Sequence, residues 1–336
     1  MSPETPASSL TPAPALPAPP LKFLGPQWFA AVMGLAGLAL AWHAAAPAMG
    51  PLADNVSLAI GTVAGLVFLL LCALSLRRAT VYREALLSDL LHPVRHAFVA
   101  AIPVSLILLA TLGTALGGAS GWWFGLWLIA CLAQFAVTVW VLSRWWKGNG
   151  AGGLQWPGIT PVLIIPVVGN VLAPLAGITL GAPGWTVAQF GLGVFLWPLV
   201  MVMIFVRIGV QGLWPERLLP AGFITMAPPA VIGLALMPLE ATALWSQACW
   251  GIALFFLLWS AQVLRAIVAQ PFSMAWWAMS FPLAAFAGLT LRLAPTGTLF
   301  SLLSVPALAL ASLVIAGLCI GTLRGLRNGT LLVTEG

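Results

Sequence analysis

Three histidines, four cysteines and seven carboxylates are the whole stock of metal-binding and acid–base side chains in this 336-residue chain, and their spacing serves neither task. Cys72, Cys131, Cys249 and Cys319 stand alone, each inside an apolar stretch where a small thiol packs as a hydrophobe. No two of them have the separation of a metal-ligand pair, and disulfides between such stretches are not expected. His43, His92 and His96 fall at the ends of apolar stretches, where capping or interfacial exposure explains them more cheaply than proton or metal chemistry. The run Lys147–Gly153 (KGNGAGG) has the glycines of a phosphate loop but neither the preceding strand nor the closing Lys-Ser/Thr, so it reads as a linker. With no nucleophile set beside a base, the chain is expected to be no enzyme and to hold no metal and no cofactor.

The chemistry left over is transport. All seven acidic residues lie outside the apolar stretches, so no carboxylate waits at mid-membrane for a cation or a coupling proton. An anion needs no fixed counter-charge where helix N-termini and hydroxyls face its path. Small inorganic or organic anions are therefore the expected partners, moving through a lipid bilayer. The formal charge of +6 is dispersed over loops, which marks topology rather than nucleic-acid binding.

Such a path must be built from spans, and the charge pattern counts them. Charge-free windows run 23–53, 55–76, 96–143, 148–206, 218–239, 241–264, 266–291 and 293–323. About 20 apolar residues cross the hydrocarbon layer, so the windows 96–143 and 148–206 each hold two spans, divided by the turn-like stretches Gly113–Gly121 and Gly177–Gly184. Ten helices are expected, near 27–47, 55–76, 96–113, 121–143, 158–177, 185–207, 219–238, 241–264, 272–293 and 299–322. Strands are not, because the windows are continuously apolar rather than alternating in and out. The fold class is thus an all-α polytopic membrane protein, in keeping with 61% hydrophobic and 6% charged residues.

Twelve of the thirteen Lys and Arg fall on alternate loops, while the opposite loops carry Asp54, Glu240 and one positive residue, Arg292. The positive-inside rule then puts both termini in the cytoplasm. Residues 1–21, rich in Pro, Ala and Ser, read as a disordered tail without the basic region of a signal peptide. Residues 22–325 form the membrane domain and 326–336 a second tail. Segment 78–95 is either a short interfacial helix, with Leu86, Leu87, Leu90 and Leu91 beside charges, or a plain connector. Proline is concentrated in odd spans: Pro103, then Pro161, Pro166 and Pro174, then Pro228 and Pro229, then Pro282. Each removes a helical hydrogen bond and bends its span, which suggests bent odd helices around a path inside a straighter even-numbered wall.

Five stretches on those odd spans carry a likeness: FAAVMGLAGLALAW (Phe29–Trp42), HPVRHAFVAAIPVS (His92–Ser105), ITPVLIIPVVGNVLAPLAG (Ile159–Gly177), LPAGFITMAPPA (Leu219–Ala230) and PFSMAWWAMSFPLAAFA (Pro271–Ala287). In this order the chain resembles the tellurite-resistance/C4-dicarboxylate transporter family, the TehA-like proteins related to plant guard-cell slow anion channels, over residues 22–325. The resemblance implies five helical hairpins in quasi-fivefold arrangement around a central pore, a homotrimer with one pore per protomer, and a plasma-membrane location. It also implies a gate at Phe281, the phenylalanine of Ser280-Phe281-Pro282, although Met279 and Ser280 depart from the aromatic and threonine common before that Phe-Pro. Gly34, Gly37, Pro103, Pro166, Asn170, Pro228 and Pro282 are the matching pore-lining candidates. Read without the resemblance, Phe281 is ordinary apolar packing. The expected function is a gated anion channel or passive anion exporter; the alternatives are a coupled carrier for C4-dicarboxylates, sulfite or tellurite, and a membrane scaffold.

Overall fold

Backbone polar groups have no water to bond in a bilayer, so a chain of continuous apolar windows must close its hydrogen bonds within helices. A computed structural model describes residues 20–148 and 153–333; the proline-rich tail and most of the glycine-rich linker lie outside the described residues. Among the described residues, nine helices are long and apolar enough to cross a membrane: α1 (Pro26–Ala44), α2 (Pro51–Val81), α3 (Arg95–Gly117), α4 (Gly121–Lys147), α6 (Pro183–Gln211), α7 (Glu216–Ala235), α8 (Ala243–Ala261), α9 (Met274–Thr296) and α10 (Thr298–Arg327). Between α4 and α6 lies a shorter apolar helical segment, α5 (Pro161–Gly177).

Helices α2 and α10 outrun the windows expected of them. Charge ends an apolar window but not a helix, so α2 begins before Asp54 and continues through Arg77 and Arg78 for 31 residues, about 46 Å at 1.5 Å per residue. Helix α10 likewise continues through Arg324 to Arg327. Segment 78–95 contains a real short helix, Arg83–Leu91.

Burial sorts the ten segments into two shells. In α1, α3, α7 and α9 between 61% and 89% of the most apolar window is buried, against 22% to 33% in α2, α4, α6, α8 and α10. Every residue of α5 except Leu175 is buried. The inner segments close a ring, α1 on α3, α3 on α5, α5 on α7, α7 on α9 and α9 back on α1, and each outer helix packs on the inner segment before it. Large apolar side chains such as Leu69, Phe195, Leu258 and Leu313 cover the outer faces, where lipid would meet them.

The inner segments differ from the outer ones in a way the prolines only partly announce. All five begin as 3-10 helix and tighten into α-helix further on: Pro26–Trp28, Arg95–Ala100, Pro161–Ile164, Glu216–Met226 and Met274–Met279. Outer helices α6 and α10 pass through Pro198 and Pro306 without interruption. Helix α5 breaks at Leu172–Ala173, just before Pro174. Carbonyls along this stretch are taken up by the outer wall: Gln134 Nε2 and Thr138 Oγ1 donate to Pro166 O at 2.8 and 2.6 Å, and Trp127 Nε1 donates to Ala173 O at 3.2 Å. A broken helix in an apolar surround requires such partners.

Candidate transport pathway

At the sparsely charged end of the ring lies a cavity of about 370 Å³ lined from all five inner segments. Each inner segment runs from the basic end toward this one, so the first lining residue on each marks the cavity floor. Those residues are Gly37, Leu108, Leu172, Val231 and Phe281. Four are small or aliphatic, and Phe281 supplies the only ring. It is 5% exposed, and its Cδ2 comes within 3.0 Å of where a Cβ on Gly37 would lie. The absent side chain at Gly37 therefore makes room for the phenyl group on the axis side of α1.

The helix pair α1 and α9 is set this close by small residues. A Cβ at Gly34 would meet Ser280 Oγ at 2.2 Å, and Ser280 Oγ is itself donating to Trp277 O at 2.6 Å. Gly34 thus holds the helix contact one turn below the floor, and Gly37 lines the cavity. Prolines 103, 166, 228 and 282 are buried in the ring without lining this cavity, and they shape backbones rather than its wall. Asn170 departs from the expectation that it lines the path. Its Nδ2 donates to Thr138 Oγ1 at 2.8 Å and its Oδ1 accepts from Gln189 Nε2 at 3.1 Å, so the side chain is committed to α4 and α6. The physical reason is the break in α5, which turns a buried amide toward the wall that stabilises it.

Two cavity residues were expected elsewhere than on a path, His43 at an interface and Arg292 on a loop. His43, near the end of α1, and Arg292, on α9, both line the mouth together with the hydroxyls of Thr111 and Thr179. The signal was available: Arg292 is the one Lys or Arg off the alternating ladder, and His43 lies on the same face of α1 as Leu40 and Gly37. His92 and His96 behave as expected of caps. His92 Nδ1 accepts from the backbone N–H groups of Val94 and Arg95, each at 3.1 Å, and burial, followed by the charge of Arg95, pushes its pKa below the ordinary histidine range. His96 is tied by its Nδ1 to the carbonyl of His92 at 2.8 Å.

The opposite end of the ring opens into a larger cavity of about 820 Å³, bounded by Gln27, Trp28, Phe98, Pro220 and Met274 at the starts of four inner segments and by charged residues around them. Asp89, on the short helix Arg83–Leu91, is buried between two arginines, with Oδ2 2.7 Å from Arg78 Nη2 and Oδ1 3.1 Å from Arg95 Nη1. Arg78 Nε also donates to Lys22 O at 3.0 Å. These contacts pin the short helix to α2 and to the entrances of α1 and α3. The two cavities thus meet the ring from either end.

Among the described residues no three His, Cys, Asp or Glu side chains are grouped as a metal site would require. The four cysteines are free thiols.

The pattern of the voltage-dependent anion channel family matches residues 24–323. An uncharacterized transporter of Methanocaldococcus jannaschii is 24% identical over 79% of this chain and 82% of its own length. The S-type anion channel SLAH3 of Arabidopsis thaliana is 25% identical over 88% of this chain, which spans only 47% of the plant protein. A tellurite resistance protein TehA homolog of Haemophilus influenzae is 26% identical over 77% of this chain and 78% of its own.

Proposed function

The chain belongs to the voltage-dependent anion channel family, and from that premise we propose that it is a gated channel or passive exporter for small anions, closed at Phe281. Family membership makes it a multi-pass membrane transport protein and not an enzyme. The observation that carries the finer reading is the closed ring of five buried segments around a cavity whose floor contains a single aromatic ring. In this reading the ten segments are five hairpins around one pore, residues 22–325 are the transport domain, and both termini face the cytoplasm. The basic end then collects anions from the cytoplasm, where Lys22, Arg78, Arg95 and Arg217 border the larger cavity. An apolar constriction stops an ion because the ion cannot shed its water without replacement ligands.

Selectivity tests the reading directly. Purified protein in planar bilayers under a potassium chloride gradient should give a reversal potential near the chloride equilibrium value. At the basic end Lys22, Arg78, Arg95 and Arg217 outnumber the carboxylates Glu84, Asp89 and Glu216, so no ring of carboxylates alone is there to favour cations. A potential near the potassium value would reject anion selectivity.

The oligomer is proposed as a homotrimer with one pore in each protomer. Gly61 and Gly321 are filled by neighbours in their own chain, Leu112 and Phe272, whereas nothing lies within 4 Å of the missing Cβ at Gly65 and Gly317. Those two positions leave flat ground on the outer wall for a second copy to approach closely. Light scattering of the detergent-solubilised protein, corrected for detergent, is expected to give three times 35.2 kDa. A monodisperse monomer that still conducts anions would reject the trimer.

A further inference from the structure

At the mouth of the cavity at the sparsely charged end, His43 lines the path and is paired with Asp54. Asp54 Oδ1 lies 2.7 Å from His43 Nδ1. A carboxylate only accepts, so the imidazole proton of this bond belongs to Nδ1. Nε2 is then the ring nitrogen left over, with no hydrogen-bond partner among the described residues. Neutral His43 presents a lone pair at Nε2, which repels an anion. Protonated His43 presents an N–H donor and a positive charge.

Beyond Asp54, the surroundings offer His43 no second counter-charge. Helix α1 packs on α2, α3, α9 and α10 and on the short helix Ala46–Met49. At this end of the bundle those elements carry Asp54 on α2 and Arg292 on α9 and no other charged residue; α3, α10 and the short helix carry none here. Glu240, in the loop after α7, is the one remaining charge at this face. Arg292 lines the same cavity as His43 and has no carboxylate partner among the described residues. The rest of the lining is apolar, from Leu40 and Leu175 to Leu234 and Met237, so a second cation changes the potential in the cavity more than it would in open water.

We propose that His43, oriented by Asp54, is a protonation-controlled anion ligand that acts with Arg292 at the cavity mouth, so that the cavity binds small anions more tightly as this side is acidified. The inference rests on the anion-path reading above and adds to it a ligand pair and a pH dependence. It also supplies what the carboxylate-free span interiors had appeared to exclude, a protonatable group on the path.

Two measurements separate the inference from the reading it rests on. In planar bilayers with chloride as the probe, each bath is set independently to about pH 8 or about pH 5.5, bracketing the range in which histidine changes charge. Acidifying the bath at the His43 end should raise chloride current about three- to tenfold, the scale of one added charge near a partly screened site; acidifying the other bath should not. His43→Gln should abolish this ratio. In parallel, NMR of histidine-labelled protein follows the His43 ring, assigned by its loss in His43→Gln. Replacing a bulky sulfonate salt by chloride at constant ionic strength should move its titration midpoint upward, because the anion binds the charged form. A ratio that persists in His43→Gln, or a midpoint indifferent to chloride, overturns the proposal. Absence of current at any pH rejects the transport reading, while the NMR midpoint still decides the site.

Discussion

Phe281→Ala should raise anion conductance by at least about tenfold, the factor that follows from removing about 1.4 kcal/mol from the barrier. The side chain is one of five at the cavity floor and the only one large enough to cross the axis, since its neighbours there are Gly37, Leu108, Leu172 and Val231. Truncating it joins the cavity to the segment of the ring below and relieves the dewetted contact that holds water and ions back. The competing view is that the phenyl group is core packing between α1 and α9. On that view its loss opens a void costing about 3–5 kcal/mol and lowers the yield of folded protein without raising current. Phe286→Ala provides the control, because Phe286 stacks on Trp250 of α8 with ring centroids 5.7 Å apart and faces away from the cavity. The gate assignment predicts a conductance gain for Phe281→Ala alone and a stability loss shared by both. Equal currents in the two variants would end it.

The segments were legible in the sequence because charge cannot be buried cheaply in lipid: the gaps between charged residues, with two glycine-rich turns dividing the longest gaps, located ten apolar segments to within a few residues. The shells were legible more faintly. Gly34, Gly37 and the prolines of α3, α5, α7 and α9 pointed to the inner set, yet the feature that unites the five, a 3-10 start at the basic end, has no compositional signature beyond Pro26, Pro161 and Pro220. Side-chain direction was illegible. Asn170 sits on an inner segment, and nothing in its spacing says that the break before Pro174 turns it toward Thr138 and Gln189. The partners did leave a trace, since Gln134 and Thr138 are polar residues four apart on an otherwise apolar helix, the spacing that puts both on one face. The partner of His43 was illegible for the same reason. The pairing with Asp54 depends on how α1 and α2 meet across the connection at Gly50, where φ is +65°, and that meeting is tertiary.

Asp89→Asn should be the most damaging single change outside the membrane core. Asp89 and Arg78 retain only 3% and 6% of their side-chain exposure, and Asp89 also neutralises Arg95. Removing one partner of a buried ion pair leaves an uncompensated charge and costs about 3–5 kcal/mol. A thermal melt followed by tryptophan fluorescence should therefore show a clear drop for Asp89→Asn and a smaller one for Arg78→Leu combined with Asp89→Leu, which removes both charges together. The protein that does fold carries a further consequence. Arg78, Asp89 and Arg95 all border the cavity at the basic end, so losing the carboxylate raises its net charge by one and draws anions in more strongly. Single-channel anion current should rise in the variant at about 0.1 M salt, where the Debye length is about 10 Å, and the gain should fade near 1 M, where it is about 3 Å. A variant as stable as the parent chain would show that water reaches the pair. A current gain that persisted at high salt would assign the change to the shape of the entrance rather than to its charge, because screening leaves the first intact and removes the second.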